Sequence, residues 1–369
     1  MENLSALFQE MENSIQNIQT NEFLLSADDE RNLHSEKVKT IVHFYTSSLS
    51  IPARKRMVDE LDSWGPLCSL LEDESITEII VNNMNSIFIE KGGTLRRHSD
   101  HFFSENSYRN FIDRLCHASH TFITREHPCA DGQFGNFRLS VVGDDITGSG
   151  VSLTLRRHPK NPWNFDRLLQ SQWCKESDIS FLKKICEEKS NFLIVGTTGA
   201  GKTSVLNSFL SHLPSEERLL IIEDTPEIHM PNQASLRLLT REDPQGILPA
   251  IDQCQLVKRT LRLRPDRIVM GEMRGSEAKD FLLALATGHP GSFGTLHAQN
   301  AAQALIRLEM LIQMGAPQWN LQAIRRLIQM SLHYIVVAKK TSDGHRRLEG
   351  IYKISSLEQN GFLLEPIES

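Results

Sequence analysis

The sequence predicts an α/β chain: a C-terminal domain built on a mostly parallel sheet, preceded by a small α+β domain and a helical extension. Three observations carry this. Beyond residue 163, short apolar runs alternate with helical stretches, which implies crossover connections and parallel strands. Between residues 75 and 140 the apolar period shortens and turn residues separate the runs. Ahead of both, residues 28–62 carry helical periodicity. With 369 residues, 40% of them hydrophobic, the chain can bury two cores and carry an extension.

Taken in order, residues 1–21 are polar without a clear period and read as a mobile tail. Val38, Ile41, Val42 and Tyr45 share one helical face, Pro52 breaks the pattern, and a second helix is expected near 57–61. Tail and extension together are assigned to 1–62. Residues 79–81 and 86–89 are expected as strands around the turn-forming 82–85, with another turn at Gly92-Gly93. A helix over 107–119 and strands around 134–142 and 151–155 complete an α+β domain over 63–158. His158-Pro159-Lys160-Asn161-Pro162 is rich in breakers and is read as the linker. From 163 to 369, strands are expected at 192–195, 219–222, 268–270, 293–296 and 334–338.

Composition narrows the function. A formal net charge of -6 argues against nucleic-acid binding by bulk charge. No segment reaches the roughly 18 apolar residues that a membrane span needs, and residues 1–20 carry no apolar signal core, so the cytoplasm is the expected compartment. The six cysteines form no CxxC pair and are expected to be reduced thiols, mostly packed as small hydrophobes.

The chemistry begins at Gly196-Thr197-Thr198-Gly199-Ala200-Gly201-Lys202-Thr203, which satisfies G-x-x-x-x-G-K-[ST]. Glycines let the backbone curl so that N–H groups face a phosphate, Lys202 supplies charge to the β/γ oxygens, and Thr203 offers a hydroxyl to Mg²⁺. Ser204 follows on the same helical turn. An apolar strand precedes the loop, and Val205, Leu206, Phe209, Leu210 and Leu213 follow on one helical face. ATP and Mg²⁺ are the expected ligands.

In an open α/β sheet, ligands bind beyond the carboxyl ends of the strands. There the sequence places Glu223-Asp224, Gly271-Glu272 and His297. Glu272 suits a base that orients water against the γ-phosphate. Glu223, Asp224 and Glu227 are candidates to hold Mg²⁺ through its waters. The alternative for each is a charge that solvates a strand end. His289 and His297, eight residues apart among Gly288, Gly291 and Gly294, lack a third metal ligand.

Taken together these motifs resemble the secretion ATPase superfamily of type II and type IV secretion and type IV pili, and within it the CpaF/TadA-type ATPases of Tad (Flp) pili. The resemblance covers roughly 60–350. It rests on Trp64-Gly65-Pro66-Leu67, Ile76-Thr77-Glu78-Ile79, the Walker A loop, an acidic box at Glu223-Asp224-Thr225-Pro226-Glu227, Leu261-Arg262-Leu263-Arg264-Pro265-Asp266 leading to Glu272, Arg274-Gly275, and a histidine box from Thr287 to Ala298. It implies a RecA-like ATPase domain and a homo-hexamer, with ATP held between the N-terminal and RecA-like domains. It also implies N-terminal arginines near the phosphates, for which Arg138 and Arg156 are the candidates, and a matching position at Arg241. Integral inner-membrane platform proteins are the implied partners, placing the chain at the membrane's cytoplasmic face with no span of its own. Thr197 stands where the family has glycine, Leu239 where it has an acid, and the type II zinc-binding cysteine module is missing.

The expected function is therefore a motor for pilus assembly, with retraction as a variant. An effector or DNA export ATPase of a type IV system is the alternative. A nucleic-acid translocase on the same fold is a third reading, opposed by the acidic balance and by the lack of a basic–aromatic groove. No nucleic-acid partner is expected.

Overall fold

The structure is a computed structural model and describes residues 4–22, 30–158, 162–241, 248–358 and 361–368. The chain divides into two compact units, Met1–His158 and Pro159–Ser369. The expected linker falls largely outside the described residues.

The first unit runs α1 (Leu4–Glu22), α2 (Glu30–Thr46), α3 (Ile51–Asp62), α4 (Cys68–Glu72), β1 (Ile76–Asn83), β2 (Ser86–Lys91), β3 (Thr94–Arg97), α5 (Glu105–Ala118), β4 (Cys129–Phe134), β5 (Phe137–Val142), α6 (Asp144–Thr147) and β6 (Ser152–Arg157). Its strands form one antiparallel sheet in the order β3-β2-β1-β6-β5-β4. Period-two alternation decides its faces. Ile79, Val81, Leu139, Val141, Leu153 and Leu155 are buried against Phe111, Ile112 and Leu115 of α5. Glu78, Arg156 and Arg138 sit at directly paired positions between those apolar residues, so they share the opposite face. Ser104 starts α5 through a capping box with Ser107.

The expected tail at the N-terminus is instead the helix α1. Leu4, Leu7, Phe8, Met11 and Ile15 recur at helical spacing, and Phe8 and Met11 are fully buried against Met57 and Phe103. Scattered apolar residues in a polar stretch make a weak period, and tertiary contact supplies the stability that a lone helix of this length lacks. Pro52 does not break a helix but lies in the first turn of α3, after the cap Ser50, where a missing N–H is harmless.

The second unit runs α7 (Phe165–Gln170), α8 (Glu176–Glu187), β7 (Phe192–Gly196), α9 (Lys202–Leu210), β8 (Leu219–Glu223), β9 (Leu236–Leu239), α10 (Gln253–Thr260), β10 (Arg267–Met273), α11 (Glu277–Ala286), β11 (Phe293–His297), α12 (Ala301–Gly315), α13 (Leu321–Ser331), β12 (Tyr334–Lys340), β13 (Arg346–Glu358) and β14 (Gly361–Pro366). Its sheet order is β14-β13-β12-β7-β11-β10-β8-β9. From β9 to β12 every pairing is parallel, while β13 and β14 add antiparallel. Helices cover both faces, so β7 and β8 are wholly buried and read as unbroken apolar runs. One core packs Phe192, Phe209 and Phe293 beneath α9, and the other packs β7, β10 and β11 against α11, α12 and α13. The five expected strands are present, extended by β9 and by the β13–β14 hairpin.

Candidate nucleotide site

The loop between β7 and α9 is shaped by its glycines. A Cβ on Gly196 would lie 2.4 Å from the Ala338 carbonyl oxygen of β12, so only glycine fits between the two strands. Gly199 and Gly201 have φ of +73° and +90°, the left-handed region that glycine enters without strain. Gly201 caps α9 and no side chain caps the helix in its place, which leaves the helix start open to an anion. Thr197 and Thr198 are exposed, Ala200 is buried, and Thr203 and Ser204 are half-buried on the first turn of α9. The Lys202 ammonium donates to the carbonyls of Gly196 (3.1 Å) and Thr197 (3.3 Å) and lies 3.3 Å from His297 Nδ1.

Parallel pairing brings the chemistry of several strands to this edge. His297 is in register with Gly196, and its Nε2 lies 3.1 Å from the Thr198 hydroxyl. Glu272 Oε1 is 3.9 Å from Lys202 Nζ and 3.8 Å from His297 Nδ1. The other carboxylate oxygen, Oε2, accepts from Arg274 Nε at 2.5 Å. Thr295 of β11 donates to the Gly271 carbonyl at 2.5 Å, tying that strand to the peptide before Glu272.

The electrostatics follow from these contacts. Burial pushes the Glu272 carboxyl up, but the hydrogen bond and charge of Arg274, then Lys202 and His297, outweigh it and hold the group below its ordinary value. Burial and the Lys202 ammonium hold the His297 imidazole below its ordinary value, against the pull of Glu272. Near neutral pH the site therefore contains an ionised Glu272 beside a neutral His297.

The acidic box divides into different tasks. Glu223, with 3% of its side chain exposed, accepts from the backbone N–H of Glu227 and of Ile228, each at 2.8 Å, through Oε1, and from Arg237 Nε at 2.9 Å through Oε2. Burial pushes its carboxyl up to about 7 while these three donors pull it down. Oε1 thus holds the 224–228 loop directly, and Oε2 holds Arg237 of β9, which in turn bonds the Ile228 carbonyl. Asp224 Oδ1 accepts from Thr240 (3.1 Å) and Gln253 (2.8 Å), and its Oδ2 lies 3.9 Å from Arg274. Glu227 is half-buried. Among the described residues no three His, Cys, Asp or Glu side chains converge as a metal cage.

Arg138 and Arg156 lie in the other unit as a directly opposed cross-strand pair on β5 and β6, Arg156 exposed and Arg138 half-buried. Arg241 bonds the Pro249 carbonyl at 2.9 Å and pairs in an isolated bridge with Ile251. His289 Nδ1 lies 2.9 Å from the Ala284 carbonyl and precedes β11, whereas His297 ends that strand. Sequence reasoning gave no role to Arg237, Gln253 or Arg346, and placed Arg274 only within a motif. Arg346 donates to the Gly199 carbonyl at 2.7 Å across a separation of 147 residues. The one signal for it was Asp343-Gly344, a hairpin turn that sets Arg346, two residues on, opposite Lys340 at the end of β12.

Comparison with known proteins gives a consistent picture. The family described as type II/IV secretion system protein matches residues 60–343. Conjugal transfer protein TrbB of Rhizobium radiobacter is 30% identical over 319 residues, spanning 84% of this chain and 94% of that protein. The ATPase DotB of Yersinia pseudotuberculosis aligns with a TM-score of 0.57 at 18% identity, over 85% of this chain and 82% of that one. The pilus retraction motor PilT with bound ADP aligns at 0.57 and 19%, over 77% and 80%. At such identity the two structures bear on fold alone, and they support a RecA-like domain preceded by an N-terminal domain.

Proposed function

The chain belongs to the type II/IV secretion system protein family, and from that premise we propose that it is an ATP-hydrolysing motor of a secretion or pilus-assembly machine. The observation that carries the reading is the meeting of Lys202, Glu272 and His297 at one sheet edge, beside a loop whose glycines leave its backbone open to a phosphate. Loop amides and Lys202 hold the β- and γ-phosphates. Thr203, on the first turn of α9, would hold Mg²⁺ through its hydroxyl and Asp224 and Glu227 would hold it through water, and the ion would supply charge neutralisation to the phosphates. Glu223 serves instead to position that loop. Ionised Glu272 accepts a proton from the attacking water, and Arg274 fixes one carboxylate oxygen so that Oε1 points toward Lys202. His297 links Thr198 to Glu272 and keeps loop and base in register.

The proposal extends to a homo-hexamer that docks on integral platform proteins at the cytoplasmic face of the inner membrane. Among the described residues no helix is long and apolar enough to cross a membrane. Arg138 and Arg156 would supply charge to the phosphates. Family resemblance favours assembly of a Tad-type pilus. A second reading, export through a type IV system, is favoured by the extent of the match to TrbB, which is named for conjugal transfer. Neighbouring genes for pilin and prepilin peptidase, or for conjugation components, separate the two.

The Glu272→Gln protein should bind Mg·ATP normally while turnover falls by about 100-fold or more. Lys202→Ala should lose binding. Undiminished hydrolysis by Glu272→Gln would remove Glu272 from the mechanism.

A further inference from the structure

The β12–β13 hairpin brings two cations against the phosphate loop at Gly199 and Gly201. Arg346, first residue of β13, donates from Nε to the Gly199 carbonyl, and its Cδ lies 3.2 Å from where a Cβ on Gly201 would be. Lys340, last residue of β12, has its Cδ 3.9 Å from the corresponding point on Gly199. The two are directly opposed in the strand register. Like charges paired across strands are destabilising. In the adjacent row, Lys339 against Arg347, Lys339 bonds Glu349 at 2.5 Å. The Lys340–Arg346 row has no carboxylate, and the Lys340 side chain makes no ion pair or hydrogen bond among the described residues.

The turn holding this pair is closed by hydrogen bonds. Thr341 N–H donates to the His345 carbonyl at 2.8 Å, the Thr341 hydroxyl bonds the same carbonyl at 2.9 Å, and Gly344 N–H closes back on Thr341 at 3.0 Å. A hydrogen-bonded hairpin that carries two cations without an ion pair among the described residues to the lip of an anion-binding loop has one evident counterpart, the anion itself.

We propose that Lys340 and Arg346 form a second cationic wall for the polyphosphate of the bound nucleotide. Lys340 is a phosphate-binding group, and Arg346 is a positioning residue that fixes the loop through Gly199. This inference rests on the nucleotide reading of the site. It also explains why the hairpin retains opposed cations, because a polyphosphate between them and Lys202 relieves their repulsion.

The test is calorimetric binding of Mg·ADP to the full chain over a range of salt concentrations, with wild type, Lys202→Ala, Lys340→Gln, Lys340→Arg and Arg346→Gln. Lys340→Gln should weaken binding about tenfold and flatten its salt dependence, since one charge-assisted contact is lost. Lys340→Arg should restore both. Arg346→Gln should raise the KM for ATP more than it lowers kcat. Wild-type binding that Lys202→Ala abolishes, with affinity and salt slope unchanged in Lys340→Gln, overturns this inference and leaves the nucleotide reading standing. No binding by wild type overturns both. Should Arg346→Gln fail to fold, the Lys340 pair decides the matter alone.

Discussion

At the scale of single residues, Arg274 sets the state of the proposed base. Its guanidinium opposes the effect of burial on Glu272, so the wild-type carboxylate stays ionised to below the ordinary value of 4.5. In Arg274→Ala burial acts with less opposition and the Glu272 carboxyl rises. The acid limb of kcat/KM should therefore move to higher pH, and a pH–rate profile that stays in place would exclude the coupling. His297 shifts in the same direction, but burial and the Lys202 ammonium are the cause. With its value depressed from 6.5, it is neutral above that pH, and the contribution of the neutral ring is lost only as pH falls through the lower folded value. Gly196→Ala should abolish nucleotide binding, because its methyl would meet the Ala338 carbonyl. The residues that a motif can name were legible: the loop, Glu272 and His297. Those that act through distant contacts were not. Gln253 reaches Asp224 across 29 positions, and Arg346 reaches Gly199 across 147, and no local spacing encodes either meeting.

At the scale of elements, burial explains what the sequence made legible. Strands β7 and β8 are covered on both faces and so appear as nearly continuous apolar runs. By contrast β9 is four partly exposed residues at the sheet edge, and β13 is a 13-residue strand with only two buried positions, Ile351 and Ile354. Their pairing comes from neighbours rather than from their own pattern. The same holds for α1, whose few apolar residues gain their meaning from Met57 and Phe103. Phe8→Ala should thus cost about 3 kcal/mol or more of stability in the first unit, in line with buried aromatic truncations. Chemical denaturation followed by helical circular dichroism reads this directly. A loss below about 0.5 kcal/mol, the range of surface substitutions, would mean that α1 is not docked as described.

At the scale of the whole molecule, the proposed catalytic parts are divided between units. Lys202, Glu272 and His297 belong to Pro159–Ser369, while Arg138 and Arg156 belong to Met1–His158. Phosphoryl transfer rewards an added guanidinium, and such an arginine can come from the same chain or from a neighbouring one. Two damaged proteins distinguish these cases. Arg156→Ala keeps its loop and base, and Glu272→Gln keeps its arginines. Each alone should be nearly inactive, and an Arg156→Ala protein with full turnover would end the proposed arginine role. If the arginine serves the site of an adjoining copy, random mixing at equal amounts places intact partners together at about a quarter of the sites, and ATPase activity reappears. If it serves its own chain, no ratio restores turnover. In the first case dilution should also lower the specific activity of the wild-type protein, because a site completed by a second copy is lost when the copies separate.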